Sequence, residues 1–443
     1  MSVEELFGKL PAGWDYRTLG EVCAEGGGGV QTGPFGSQLH AADYVPVGIP
    51  SIMPQNIGDN RISSDGIARI TPDDAERLSK YRVKPGDIVY SRRGDVERRA
   101  LVRDSEDGWL CGTGCLRVRL GKGTVDPVFA AFFLGTAEAR EWIVRHAHGA
   151  TMPNLNTSIL SACPIIVPPL SEQRAIAATL GALDDKIELN RKMNATLEAM
   201  ARALFRDWFV DFGPTRAKMD GVEPYLSPDL WSLFPDRLDA EGKPEGWEEK
   251  PLDEIADFLN GLALQKFPGE GQPDSLPVIK IAELRNGITD KSNRASRKVP
   301  PQYVIKDGDF LFSWSGSLLA KFWTGGEGAL NQHLFKVSSK RYPAWFFSEW
   351  VQHHLEEFQI IAASKATTMG HIQRGHLKAA MTTCPPNDVI QKMGALMAPL
   401  IDRIIHNERE TRTLAQTRDL LLPRLMSGEL RVAEAERIAS EVA

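Results

Sequence analysis

The chain has 443 residues, a quarter of them charged, a net charge of −6 and five scattered cysteines. That length allows about three domains of ordinary soluble composition, and the acidic balance argues against a protein that coats nucleic acid indiscriminately. No apolar run reaches the ~18 residues a membrane span needs, and Met1-Ser-Val-Glu-Glu-Leu lacks the basic start and apolar core of a signal peptide, so a cytoplasmic address with reduced thiols is expected.

Pro11-Ala-Gly-Trp14 opens the first half and leads into a short alternating segment, Tyr16 to Val22. The next stretch, Val30 to His40, reads as a polar loop interrupted by glycines. Its Gln31, Thr32, Gly33, Phe35, Gly36, Ser37, Gln38 and His40 are candidates to face a nucleic-acid groove. Amides suit adenine edges, arginine suits guanine, and glycine lets backbone come close.

Lys84-Pro-Gly-Asp-Ile-Val-Tyr-Ser91-Arg-Arg-Gly94 predicts a Gly-Asp turn, an apolar strand and an exit where Ser91, Arg92 and Arg93 could reach a base edge. Arg98 and Arg99 belong to the same basic cluster and are candidate phosphate contacts. Cys111-Gly-Thr-Gly-Cys115 with His146 and His148 lacks a second cysteine pair, so no metal site is assigned. Leu116–Val118 reads as a second strand and Val128–Val144 as a helix, followed by His148-Gly-Ala-Thr-Met152 with Thr151 as a further candidate.

After Pro168-Pro169 a single long helix is predicted, from Ser171 to Phe209. Ile176, Leu180, Leu183, Ile187, Asn190, Asn194, Leu197, Ala201, Leu204 and Trp208 alternate steps of four and three, the seam of a coiled coil. The segment 211–245 is rich in Pro, Gly and Asp yet carries Tyr225, Leu230, Trp231 and Phe234, which marks it as a docked linker.

The second half repeats the first. Pro244-Glu-Gly-Trp247 returns, with Glu249–Ile255 behind it, and Lys306-Asp-Gly-Asp-Phe-Leu-Phe-Ser313-Trp-Ser-Gly316 restates the turn and strand. Candidate groove residues here are Gln265 and Lys266 in a shorter loop, then Ser313, Trp314, Ser315, Gln332 and His333. Lys365, Thr367 and Thr368 lie in Ser364-Lys-Ala-Thr-Thr-Met369, which echoes the segment around Thr151. Arg294, Arg297 and Lys298 form a second basic cluster for phosphate. Ala344–Ile361 reads as a helix, and Pro385-Pro386 precedes a second seam: Met393, Met397, Leu400, Ile404, Asn407, Thr411, Leu414, Arg418, Leu421 and Leu425. It lies 217 residues beyond the first, so that Asn190 falls on Asn407. A buried Asn fixes register at a cost in stability, and matched polar positions suggest that the two helices pair with each other. Pro399 is an expected kink in the second.

The expected fold class is therefore α+β: two similar α+β modules joined by two long helices in an antiparallel coiled coil, with internal pseudo-two-fold symmetry. The expected boundaries are 1–169 and 246–386 for the modules, 170–210 and 387–426 for the helices, 211–245 for the linker and 427–443 for a tail. No phosphate loop, dinucleotide fingerprint, nucleophile elbow or amino-methyltransferase tetrad occurs, and no catalytic centre is assigned.

Several stretches together resemble the specificity subunit of type I restriction-modification enzymes over nearly the whole chain. They are Pro168-Pro-Leu-Ser-Glu-Gln-Arg-Ala-Ile176, Asp184-Asp-Lys-Ile-Glu-Leu-Asn190, Leu204 to Pro214, Thr413-Leu414 with Leu422 to Leu430, Gly308 to Gly316, and Leu330-Asn-Gln-His-Leu334. The resemblance implies two target recognition domains, each reading one half of an asymmetric split site in double-stranded DNA, with the helices as the ruler between them. It also implies two methyltransferase subunits that bind S-adenosylmethionine and restriction/translocase subunits that use ATP and Mg. This chain itself would bind no cofactor and no metal and would catalyse nothing. The distal helix departs from the pattern, beginning Asn387-Asp-Val-Ile-Gln-Lys where the proximal one has Leu170-Ser-Glu-Gln-Arg-Ala. Two other readings stay open: the recognition half of a related restriction-methylation system, and a coiled-coil scaffold that binds protein rather than DNA.

Overall fold

A computed structural model describes residues 8–149, 152–364 and 370–441. The chain forms two compact units, one made of residues 1–186 with 414–443, the other of residues 187–413. Two helices, the proximal Leu170–Phe209 and the distal Asn387–Met426, each pass from one unit into the other. The units therefore divide within the helices rather than at their ends.

In the first unit, β1 (Asp15–Thr18) pairs antiparallel with the last strand of the module, β10 (Pro164–Val167), and so ties its two ends together. Between them, β2 (Gly29–Thr32), β3 (Tyr44–Ile52), β4 (Asp59–Asn60), β5 (Ala68–Ile70), β6 (Ile88–Ser91), β7 (Arg99–Leu101), β8 (Leu110–Cys111) and β9 (Cys115–Arg119) make two sheets. Their orders are β2-β9-β6-β7-β4 and β5-β3-β8.

The second unit repeats the plan. β11 (Glu248–Pro251) pairs with β20 (Met381–Cys384). β12 (Asp257–Asn260), β13 (Leu276–Ile279), β14 (Arg294–Ala295), β15 (Val304–Ile305), β16 (Phe310–Ser313), β17 (Ala320–Phe322), β18 (Gly328–Leu330) and β19 (Leu334–Ser338) form sheets ordered β12-β19-β16-β17 and β14-β13-β18-β15. The second-named sheet of each unit contains one parallel pair, β3 with β8 and β13 with β18.

The sequence repeat extends to single hydrogen bonds. The Gly-Asp turn before β6 is closed by Lys84 N donating to Asp87 Oδ2, and the one before β16 by Lys306 N donating to Asp309 Oδ2, both at 2.8 Å. Gly86 and Gly308 stand at φ 86° and 92°, a conformation that costs any other residue a Cβ clash. Every residue of β6 and of β16 is buried, which explains why these strands read as continuous apolar runs. In unit 1 Ile88 pairs with Val118, and in unit 2 Phe310 pairs with Val337.

Several expectations need correction. The helix expected over Val128–Val144 is two helices, Pro127–Phe133 and Ala137–His146, because Thr136 caps the second by accepting from Ala139 N. The stretch Val30–His40 begins inside β2, so Gln31 and Thr32 are strand residues. The linker contains two short helices, Gly213–Met219 and Pro228–Trp231, and it is anchored: Lys218 Nζ donates to Phe234 O at 2.6 Å, and the Phe234 ring lies 5.9 Å from that of Trp208.

The seam positions named from the heptad pattern are buried or half-buried, including Leu180, Leu183, Ile187, Asn190, Met397, Asn407, Leu414 and Leu421, with Leu197, Leu204 and Leu400 only partly covered. Within unit 2, Asn190 Nδ2 donates to Glu410 Oε2 at 2.7 Å and Asn194 Nδ2 to Ile404 O at 3.2 Å, while Asn407 Nδ2 donates to Asn194 Oδ1 at 2.8 Å. Partner numbers fall as proximal numbers rise, so the helices run antiparallel. Within unit 1 the corresponding contact is ionic, Arg418 Nη1 to Asp184 Oδ1 at 2.7 Å.

Candidate nucleic-acid interface

The strand exit after β6 is where the scattered candidates of unit 1 converge. Arg92 N donates to Gly114 O, Gly94 N to Pro153 O, and Leu155 N to Arg92 O, so the turn 92–94 is held between the 112–114 loop and the 153–155 segment. Gly33 N donates to Cys115 O, which brings the loop after β2 to the same end of the sheet. A Cβ on Gly33 would stand 2.1 Å from Gly112 O, so only glycine permits that approach. Phe35, 54% exposed, lies beneath the Arg92 guanidinium with Cζ 5.9 Å from the ring centre. Arg93, Gly36, Ser37 and His40 are exposed around it. Gln38 accepts from Phe35 N and from the Tyr81 hydroxyl, and thus shapes the loop.

Unit 2 builds the same frame. Trp314 N donates to His333 O, Gly316 N to Gly370 O, and Ile372 N to Trp314 O. Gly94 and Gly316 share positive φ, 73° and 66°. The three matched bonds place Trp314 where unit 1 has Arg92, and Ser315 where it has Arg93. The side chains behave differently. Trp314 Nε1 donates to Asn260 Oδ1 (2.9 Å) and Gln332 O (3.1 Å). His333 has Ser315 Oγ at 2.9 Å from Nδ1 and Gln332 Nε2 at 3.3 Å from Nε2. Beside this cluster, Gln265, Glu270, Lys280, Asn293, Arg294 and Asn331 line a cavity of 260 Å³.

Sequence reasoning did not name Asn260, Lys280, Asn293, His371 or Arg374, whose Cζ stands 5.9 Å over the Phe335 ring. Asn331 lies in the Leu330-Asn-Gln-His-Leu334 run that the sequence singles out.

The remaining candidates fall into buried, internally paired and exposed groups. Arg99 was expected to meet phosphate, but it lies in β7 at 5% exposure, with Nε donating to Ala131 O at 2.7 Å and burial lowering its pKa. Ser91 and Ser313 are buried and brace their own turns, Ser91 Oγ donating to Arg93 O and Ser313 Oγ accepting from Leu319 N. Ser315 is 3% exposed and Gly33 is buried in the loop frame. Gln31 is occupied by Arg117, whose Nη2 donates to Oε1 at 2.6 Å. Arg294 donates to Ser275 Oγ, Arg297 pairs with Glu327 at 2.8 Å and Arg98 with Asp95 at 2.6 Å, while Lys298 and Lys266 are exposed. Thr151, Lys365, Thr367 and Thr368 lie outside the described residues.

The chain thus carries one module plan twice, with different side chains at the equivalent turns and a long helix after each module. Residues 11–199 and 244–415 match the family model described as type I restriction modification DNA specificity domain, and the chain belongs to that family, whose members are DNA sequence-recognition subunits. It is similar to the type I restriction enzyme MjaIX specificity subunit of Methanocaldococcus jannaschii, 26% identical over 96% of both chains. The HindI specificity subunit of Haemophilus influenzae is 24% identical over 86% of this chain and 95% of its own. Among solved structures, the type I restriction-modification S subunit from M. genitalium has the same fold, with a TM-score of 0.54, 17% identity and coverage of 94% of this chain and 97% of that one. Among the described residues no helix is long and apolar enough to cross a membrane.

Proposed function

We propose that this chain is the non-catalytic reader of a type I restriction-modification complex, recognising an asymmetric two-part site in double-stranded DNA with one half-site per module. The observation that supports this is the pair of turns 92–94 and 314–316, which share three backbone hydrogen bonds and differ in side chain. Shared frames give both modules one way to meet a duplex, and different side chains give them different sequences to read. A tandem repeat on antiparallel helices reproduces within one chain the two-fold logic by which dimeric readers match DNA symmetry.

The two long helices repeat one seam 217 residues apart, so the chain would seat two methyltransferase subunits, with restriction/translocase subunits joining the complete enzyme. S-adenosylmethionine, ATP and Mg would belong to those partners, and none to this chain. Footprinting of the assembled complex on a random duplex pool should yield a two-part motif. Recovery of no motif, or of protein binding with no DNA selection, favours the scaffold reading instead.

A further inference from the structure

We propose that the first module reads a guanine in its half-site through the Arg92–Arg93 turn. This rests on the function proposed above and assigns a base chemistry to one of its two surfaces.

Arg93 stands on the outer position of a turn fixed on both sides by backbone bonds, and its side chain is exposed, with no hydrogen bond or ion pair among the described residues. This separates it from Arg98 and Arg297, which are held by carboxylates. Arg92 is half-buried, with Nε enclosed and without a hydrogen-bond partner, while its guanidinium lies over the Phe35 ring. Stacking of this kind fixes the plane of the fork and leaves its edge to be used.

The matched turn in unit 2 carries no such free donors. Trp314 spends its indole N–H on Asn260 and Gln332, and Ser315 its hydroxyl on His333. Two arginines with uncommitted donors, at the position where the repeat fills its own hydrogen bonds, are placed for an external acceptor pair. Planar guanidinium matches the O6 and N7 acceptors of guanine in the major groove, a pattern no other base presents. Phosphate would also accept from arginine, and the two ligands separate by experiment.

The full-length chain, assembled with its methyltransferase subunits, is used to map the methylation motif for the wild type, Arg93→Ala, Arg93→Lys and Arg92→Lys. Binding is then titrated on the mapped duplex with single guanines replaced by 7-deazaguanine, which lacks the N7 acceptor. Arg93→Ala should make one G·C position of one half-site degenerate. The 7-deaza change at that position should weaken the wild type by roughly ten- to a hundredfold and leave Arg93→Ala unaffected. Arg93→Lys, which keeps charge but loses the fork, should also lose discrimination. Equal weakening on all sequences with a shallower salt slope identifies a phosphate contact and overturns the proposal. So does an unchanged motif, or a degenerate position that is A·T. A wild-type complex with no two-part motif would refute the underlying function instead.

Discussion

Asp184 is 2% exposed and relies on Arg418, with Arg418 also 3.3 Å from Asp59. Removing one partner of such a pair leaves a charge in the interior without compensation, whereas removing both can be close to neutral. Arg418→Met should therefore cost roughly 3–5 kcal/mol in chemical denaturation, and Asp184→Leu with Arg418→Met should recover most of it. If the double variant is as unstable as the single, Asp184 is not the group that suffers.

Glu349 poses the converse case. It is 9% exposed and borders a 340 Å³ cavity in unit 2; burial pushes its carboxyl up to about 7, opposed by Arg202 and reinforced by Glu198. With the folded value above the unfolded one, the native state binds more protons, so stability is fully present below the unfolded pKa and is lost as pH rises to about 7. Glu349→Gln should flatten that slope and gain up to about 3 kcal/mol at pH 8. A wild-type stability that rises over this interval, with no change in the variant, contradicts the assignment.

At this scale the sequence was informative where a residue sat in a pattern. Asn190 and Asn407 were legible as polar seam positions because the heptad surrounds them. Arg99 was not, since a run of arginines does not reveal that one of them is a strand residue turned into the protein.

The two long helices begin differently, and the structure explains how. Gln173 is fully buried: Nε2 donates to Pro168 O (2.7 Å) and Thr124 O (2.9 Å), and Oε1 accepts from Asp126 N (2.8 Å). The position 217 residues later is Ile390, also fully buried but within the aromatic core of unit 2. One helix is clasped by hydrogen bonds and the other is seated by packing. Gln173→Ala should strand those backbone groups and lower stability by roughly 2–4 kcal/mol, whereas Ile390→Ala should cost about 2–5 kcal/mol through a cavity. Calorimetry of the two variants checks both; a silent Gln173→Ala would show that the clasp is incidental. The helices were legible because one seam repeats over many turns. The break at Gly135-Thr136 was not, because the capping hydroxyl interrupts an apolar pattern that continues on both sides of it.

Across the whole chain, the repeat was visible in matched turns and strands, and the structure extends it to paired hydrogen bonds. Which side chains face outward was less visible, since Ser91, Ser313 and Ser315 look equally exposed in a polar string yet are consumed by their own turns. If the helices set the distance between half-sites, one added heptad in both, after Lys186 and after Thr413, would keep the seam in phase. It would lengthen each helix by roughly 10 Å, about three base pairs of duplex. The complex should then lose the native-spaced target or select a longer spacer; full affinity at the original spacing would contradict the ruler.

The most direct test is the methylation pattern of DNA exposed to the methyltransferase subunits with and without this chain. A two-part motif, separated by an unspecified spacer and present only when the chain is supplied, is the predicted result. Methylation that does not depend on the chain, or a single uninterrupted motif, would contradict the assignment of one half-site to each module.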